Sequence, residues 1–120
     1  MPRVLVIDDE PAIRSVLRAS LEASGFEVVL ADDGLRGIGV ARRQRPDAIV
    51  LDLMMPVMDG HTVLDVLRAD EKTRYVPVVV LSALTQQAVQ DRCRAHGAAA
   101  FVAKPFDPTD VIAAVSDALR

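Results

Sequence analysis

Five short aliphatic runs, each halted by a polar residue, govern how this chain can fold. Val4–Ile7 stops at Asp8, Glu27–Ala31 at Asp32, Ala48–Leu51 at Asp52, Val78–Leu81 at Ser82 and Ala99–Ala103 at Lys104. Short apolar runs rich in β-branched residues read as buried strands of a parallel sheet. Between them lie stretches with helical spacing of apolar residues. Pro11 suits the first turn of a helix that carries Ile13, Val16, Leu17 and Leu21 and closes at Gly25. Leu35, Ile38 and Ala41 mark one face of a second helix, which Arg42, Arg43, Arg45 and Pro46 bring to an end. Val63, Leu64, Val66 and Leu67 mark a third, and Thr85–Ala95 reads as a fourth of weaker amphipathicity. Asp107 and Pro108 cap and start the last, with Val111, Ile112, Val115 and Leu119 facing the core.

Strand and helix thus alternate five times across short loops, which predicts an α/β domain whose parallel sheet is covered on both faces. Right-handed crossovers leave few topologies, and the doubly wound order 2-1-3-4-5 is the expected one. A length of 120 residues predicts a single domain over 1–120.

Bulk properties exclude several classes. No apolar run approaches the ~18 residues of a membrane span, and acids from position 8 break the pattern of a signal peptide. A net charge of −3 and a pI near 5.3 argue against direct nucleic-acid binding. The single cysteine, Cys93, reads as a small apolar helix residue and suits a reducing, cytoplasmic setting.

Chemistry gathers where the strands run out. In a doubly wound sheet these ends share one edge, where ligands bind beside the switch in strand order. Asp8, Asp9 and Asp52 then lie in one crevice, and acids so close repel unless a cation or protons intervene. Oxygen ligands without His or Cys favour a hard ion such as Mg²⁺. A nucleotide-binding domain would place a Gly-rich turn at the first loop, but here it is Asp8-Asp9-Glu10. Lys104, one of two lysines beside twelve arginines, adds a compact ammonium, and Ser82 adds a hydroxyl. Metal, ammonium, hydroxyl and a carboxylate nucleophile together make a phosphoryl-transfer site. Taken singly, Asp9 could cap the first helix, Ser82 the fourth, and Lys104 could be a solvated surface residue. His61 and His96 read as ordinary surface or helix-end residues. Asp52, followed by Leu53-Met54-Met55-Pro56, is not explained by capping.

The stretches VLVIDDEP, DLMMPVMDG, LSA and AKPF, in that order, make the chain resemble the receiver domain of bacterial two-component response regulators. The resemblance implies the flavodoxin-like fold of that family, with Asp52 as phosphoryl acceptor. It implies that Asp9 binds Mg²⁺ directly, Asp8 mainly through water, and the Met54 backbone carbonyl as a further ligand beside Asp52. Lys104 and Ser82 would bind the phosphoryl oxygens, and Lys104-Pro105 would be a cis peptide. Ser82 and Phe101 would form the switch, with phenylalanine where the family usually has tyrosine. The phosphodonor would be a sensor histidine kinase or phosphotransfer protein, and the output would pass to a downstream effector or an output domain outside this chain. Such a domain catalyses its own phosphorylation and dephosphorylation without turning over a separate substrate. Many relatives that dimerise through the fourth helix, fifth strand and fifth helix carry an acidic pair where this chain has Ala99-Ala100, so a monomer or weak phosphorylation-dependent dimer is expected. The residues flanking the hydrolytic water would be Met54 and Leu84. The alternative is a Mg²⁺-dependent phosphatase with an aspartyl nucleophile, but Met54 stands where such an enzyme needs its second acid. A pseudo-receiver that binds partners without phosphorylation fits less well with the intact acids, Ser82 and Lys104.

Overall fold

A computed structural model describes residues 1–120. Its elements are β1 (Arg3–Ile7), α1 (Pro11–Ala23), β2 (Glu27–Ala31), α2 (Gly34–Gln44), β3 (Ala48–Asp52), α3 (Gly60–Ala69), β4 (Val78–Ser82), α4 (Gln87–Ala95), β5 (Ala100–Ala103) and α5 (Pro108–Ala118). All strands pair in parallel, in the order β2-β1-β3-β4-β5. The doubly wound order read from the sequence is the order found.

Strand alternation divides the core in two. Leu5, Ile7, Ile49, Leu51, Val78 and Val80 face α2, α3 and α4, where Ile38, Leu64, Leu67 and Cys93 meet them. Val4, Val6, Val50, Val79 and Leu81 face α1 and α5 through Leu17, Leu21, Val111 and Val115. The three central strands are wholly buried from residue 4 to 7, 48 to 52 and 78 to 82, which is why they read as unbroken apolar runs. Each Val, Leu and Ile side chain among them contributes roughly 1.5–3 kcal/mol by leaving water.

Several boundaries and faces differ from the sequence expectation. β3 and β4 extend one residue further, so Asp52 and Ser82 are the last residues of their strands rather than the first beyond them. Asp52 still pairs with Leu81, since a polar side chain at a strand end does not disturb its backbone ladder. α4 begins at Gln87 rather than Thr85, and β5 at Ala100 rather than Ala99. Leu35 is 70% exposed instead of facing the core. Gly34, Gly37, Ile38 and Ala41 take the sheet-facing positions of α2, which turns Leu35 away by about 100°. Val16 is likewise exposed, since Leu17 and Leu21 occupy the buried stripe of α1.

Candidate functional site at the strand ends

Three loops bring the polar strand ends together. Asp8 follows β1, and its amide donates to the Ala31 carbonyl at 3.2 Å, which keeps it aligned with the end of β2. Its carboxylate Oδ1 accepts from the Glu10 amide at 2.9 Å, and its carbonyl accepts from Arg14 at 2.7 Å. The loop is therefore bent inward before α1 starts. Glu10 occupies the N-cap position of α1 without a side-chain cap, so Asp9 does not serve as the helix cap. Ser82 lies several residues before α4, and its hydroxyl accepts from the Leu84 amide at 3.0 Å. It too is not a helix cap.

Asp52 sits at the centre, only 2% exposed, with Oδ1 accepting from the Met54 amide at 3.2 Å. The loop after it returns tightly. The Gly60 amide donates to the Leu53 carbonyl at 2.8 Å, and a Cβ on Gly60 would stand 2.6 Å from the Leu53 Cα. Only glycine allows that approach. Lys104 comes from the other side, placed by its amide donating to the Ser82 carbonyl at 2.9 Å and followed by a cis bond to Pro105. Its Nζ lies 3.3 Å from Asp52 Oδ1, 3.4 Å from Asp8 Oδ2 and 3.6 Å from Glu10 Oε1.

The site is short of positive charge. Carboxylate oxygens of Asp8, Asp9, Glu10 and Asp52 lie within 4.8 Å of one another, with one ammonium among them. Burial, with the neighbouring charge of Asp8, pushes the Asp52 carboxyl up to about 6, against the pull of Lys104. Burial also raises Asp8, opposed by the Glu10 amide and Lys104. Burial works against the Lys104 ammonium, but the charges of Asp8, Asp52 and Glu10 outweigh it and hold its pKa above the ordinary range. An all-oxygen donor set with an uncompensated negative charge fits a hard divalent cation.

The structure thus brings together Asp8, Asp9, Asp52, Ser82 and Lys104, with Met54 beside them. Phe101 stands apart, half-buried at mid-strand in β5, opposite Val80 and packed on the core under α4. Glu10 is the member that the sequence reading passed over. Its signal was present in the Asp8-Asp9-Glu10 triplet, but nothing local tells which of three successive acids reaches Lys104. Two grooves flank the acids. One, of about 560 Å³, is lined by Met54, Met55, Pro56, His61 and Leu84, and the other, of about 510 Å³, by Ile13, Val16, Lys104 and Phe106.

The response regulator receiver domain family matches residues 4–116. The chain is 44% identical over 122 residues to the DNA-binding dual master transcriptional regulator RpaA of Synechocystis sp., covering all of this chain and 50% of that protein. It is 45% identical over 121 residues to the transcriptional regulatory protein PrrA of Mycobacterium tuberculosis, covering 99% of this chain and 50% of that one. The chain therefore spans about half the length of these relatives. Among solved structures, the chemotaxis protein CheY4 of Vibrio cholerae superposes with a TM-score of 0.94 at 30% identity, over 99% of both chains. The receiver domain of the sensor histidine kinase PA1611 from Pseudomonas aeruginosa, which has a magnesium ion coordinated in its active site cleft, superposes with a TM-score of 0.89 at 32% identity, over 98% of this chain and 97% of that one. By this match across nearly its whole length, the chain belongs to the response regulator receiver domain family of two-component systems.

Proposed function

We propose that Asp52 accepts a phosphoryl group in a Mg²⁺-dependent reaction and that residues 1–120 act as one receiver domain. The observation that carries this reading is a buried carboxylate at the end of β3 with Lys104 Nζ at 3.3 Å and three further acids beside it. Asp9, Asp52 and the Met54 carbonyl would hold the ion, with Asp8 acting through water. The metal supplies neutralisation of charge on the transferring group.

The chain's own residues do the rest. Even without the ion the Asp52 carboxyl is raised only to about 6, so at neutral pH it is ionised and nucleophilic. One of its oxygens attacks phosphorus in line, and the bond to the donor's imidazole nitrogen breaks with its electron pair left on that nitrogen. Lys104 turns from the carboxylates to a phosphoryl oxygen, and the Ser82 hydroxyl donates to another. The product is an acyl phosphate, which water later hydrolyses back to the carboxylate. Movement of Ser82 toward the phosphoryl group leaves space into which Phe101 turns, so the α4–β5–α5 face reports the phosphorylated state.

The donor is a histidine-phosphorylated sensor kinase or phosphotransfer protein. The receiver of this change is a downstream effector or an output domain, as the half-length match to transcriptional regulators supports. The domain works as a monomer or weak phosphorylation-dependent dimer in the cytoplasm. Acetyl phosphate with Mg²⁺ tests the reading. The switch holds at most one phosphoryl group per chain and releases phosphate no faster than that acyl phosphate decays after donor removal, whereas phosphate release far faster than this decay would show an enzyme instead.

A further inference from the structure

The outer edge of the sheet at β2 is left open. β2 is the last strand on its side and pairs only with β1. The Glu27 amide donates to the Pro2 carbonyl at 2.9 Å, and the Ala31 carbonyl accepts from the Asp8 amide at 3.2 Å, so the odd-numbered residues of β2 face β1. Alternation then turns the N–H and C=O groups of Val28 and Leu30 outward, where no residue of the fold pairs with them. An edge of this kind is a template for a further strand.

A groove of about 610 Å³ runs beside Leu30 and Ala31 of that strand, between Arg14 of α1 and the outer face of α2. Two features of α2 that the core does not explain belong to it. Leu35 is 70% exposed, on a helix whose Gly34, Gly37, Ile38 and Ala41 already meet the sheet. Gly39 sits in the middle of the helix, where glycine is unfavourable, and a Cβ there would meet only the Arg43 guanidinium, at 3.2 Å. Glycine lets Arg43 fold back over the helix into the groove. Arg36 pairs with Asp32 at 3.1 Å and with Asp33 at 3.8 Å, but Arg14 and Arg43 form no ion pair. On a chain of net charge −3, the groove thus carries three guanidinium groups against the single lining carboxylate of Asp32.

We propose that this groove takes an extended acidic segment of a partner protein, added to the sheet as a further strand beside β2. The segment's backbone pairs with the outward groups of Val28 and Leu30. Its side chains alternate between the α2 side, where Leu35 and Arg43 stand, and the α1 side, where Arg14 stands. Backbone pairing supplies affinity, and the unpaired arginines select carboxylates over a neutral or basic strand. The segment makes no demand on Asp52, so the inference holds whether or not Asp52 is the phosphoryl acceptor.

The probe is a short fluorescein-labelled peptide of glutamate and valine, titrated against the whole chain with binding read as fluorescence anisotropy. It should bind saturably, and Arg43→Glu should weaken it by about tenfold. Gly39→Leu puts a strong helix former in place of glycine and pushes Arg43 aside. It should raise the urea midpoint yet weaken the peptide by a similar factor, which separates loss of the groove from loss of the fold. On binding, the Leu30 amide should become protected from hydrogen exchange, while labelling by acetyl phosphate stays unchanged in both variants. Peptides with lysine in place of glutamate, or with N-methylated backbone amides, should not bind. Absence of saturable binding, equal binding of the lysine or N-methylated peptide, or unchanged affinity in Arg43→Glu would each overturn the proposal. Displacement of the peptide by an equal concentration of single-stranded oligodeoxynucleotide would assign the arginines to nucleic acid and overturn it too.

Discussion

The ammonium of Lys104 lies 3.3 Å from Oδ1 of Asp52 and bridges the ends of β3 and β5 across the edge of the sheet. The same nitrogen is shared with Asp8 and Glu10, so no single carboxylate holds it. A shared, half-satisfied cation can exchange one oxygen partner for another at small cost, which suits a group that must move to a phosphoryl oxygen.

Sharing also sets a pH dependence. The Asp52 carboxyl is raised from 3.8 to about 6 in the folded chain, by burial and then by Asp8. Between these values the folded state binds more protons than the unfolded one, so metal-free stability falls as pH rises from about 4 to about 6. Asp52→Asn removes this loss and should stabilise the metal-free protein at neutral pH by about 1–3 kcal/mol. Urea melts at pH 4.5 and pH 7.5, ~1.5 units on either side of the raised pKa, check it, the greater part of the loss falling between them. The gain should appear at the higher pH and shrink when Mg²⁺ is added, and a destabilised mutant there would show that the Lys104 pairing dominates.

The lifetime of the acyl phosphate depends on the side chains beside the hydrolytic water. If these are Met54 and Leu84, which are 56% and 39% exposed and line one groove, neither can orient water by a hydrogen bond. One such bond is worth roughly 1–2 kcal/mol, or about tenfold in rate. Dephosphorylation should therefore be slow, and Leu84→Glu, more so with Met54→Asn, should speed it. Decay of phosphoprotein after donor removal, at fixed Mg²⁺, measures this. Equal decay in all three proteins would show that these positions do not set the rate.

Arg68 clamps the far end of the molecule. It donates to the carbonyls of Arg74 at 2.9 Å, Val76 at 2.8 Å and Gly97 at 3.0 Å, tying the loop before β4 to the loop before β5. Burial pushes its pKa down, and no carboxylate pairs with it among its hydrogen bonds. Arg68→Met leaves these carbonyls without their donor and should cost about 2–3 kcal/mol in urea unfolding. Labelling by acetyl phosphate, at the opposite end of the strands, should survive. A loss below 0.5 kcal/mol, roughly the scale of a neutral surface change, would mean that water replaces the guanidinium.

The fold was legible because β1, β3 and β4 are buried on both faces and so appear as unbroken aliphatic runs between helical patterns. The acid cluster was legible for the same reason, since Asp8, Asp52 and Ser82 end those runs. What escaped depends on placement in three dimensions. Glu10 reaches Lys104 only because Asp8 bends the first loop, and Leu35 faces water because Gly37 lets α2 approach Ile7 of β1 and Gly34 lets it approach Val63 of α3. His96 ends α4 as expected, but its pairing with Asp65 on α3 has no local signal, nor does the partly buried His61 whose Nδ1 lacks a partner. The positive φ of Val57, 69°, runs against residue preference, so no propensity argument could have found it.

Chemical location of the phosphoryl group shows whether it resides on Asp52. Protein labelled by acetyl phosphate with Mg²⁺ is reduced with borohydride, which converts an aspartyl phosphate to homoserine, and the modified residue is read by peptide mass spectrometry. Homoserine should form at position 52 alone, and not at all without Mg²⁺ or in a folded Asp52→Asn protein. Homoserine at Asp8 or Asp9, or labelling that persists undiminished in Asp52→Asn, would contradict it.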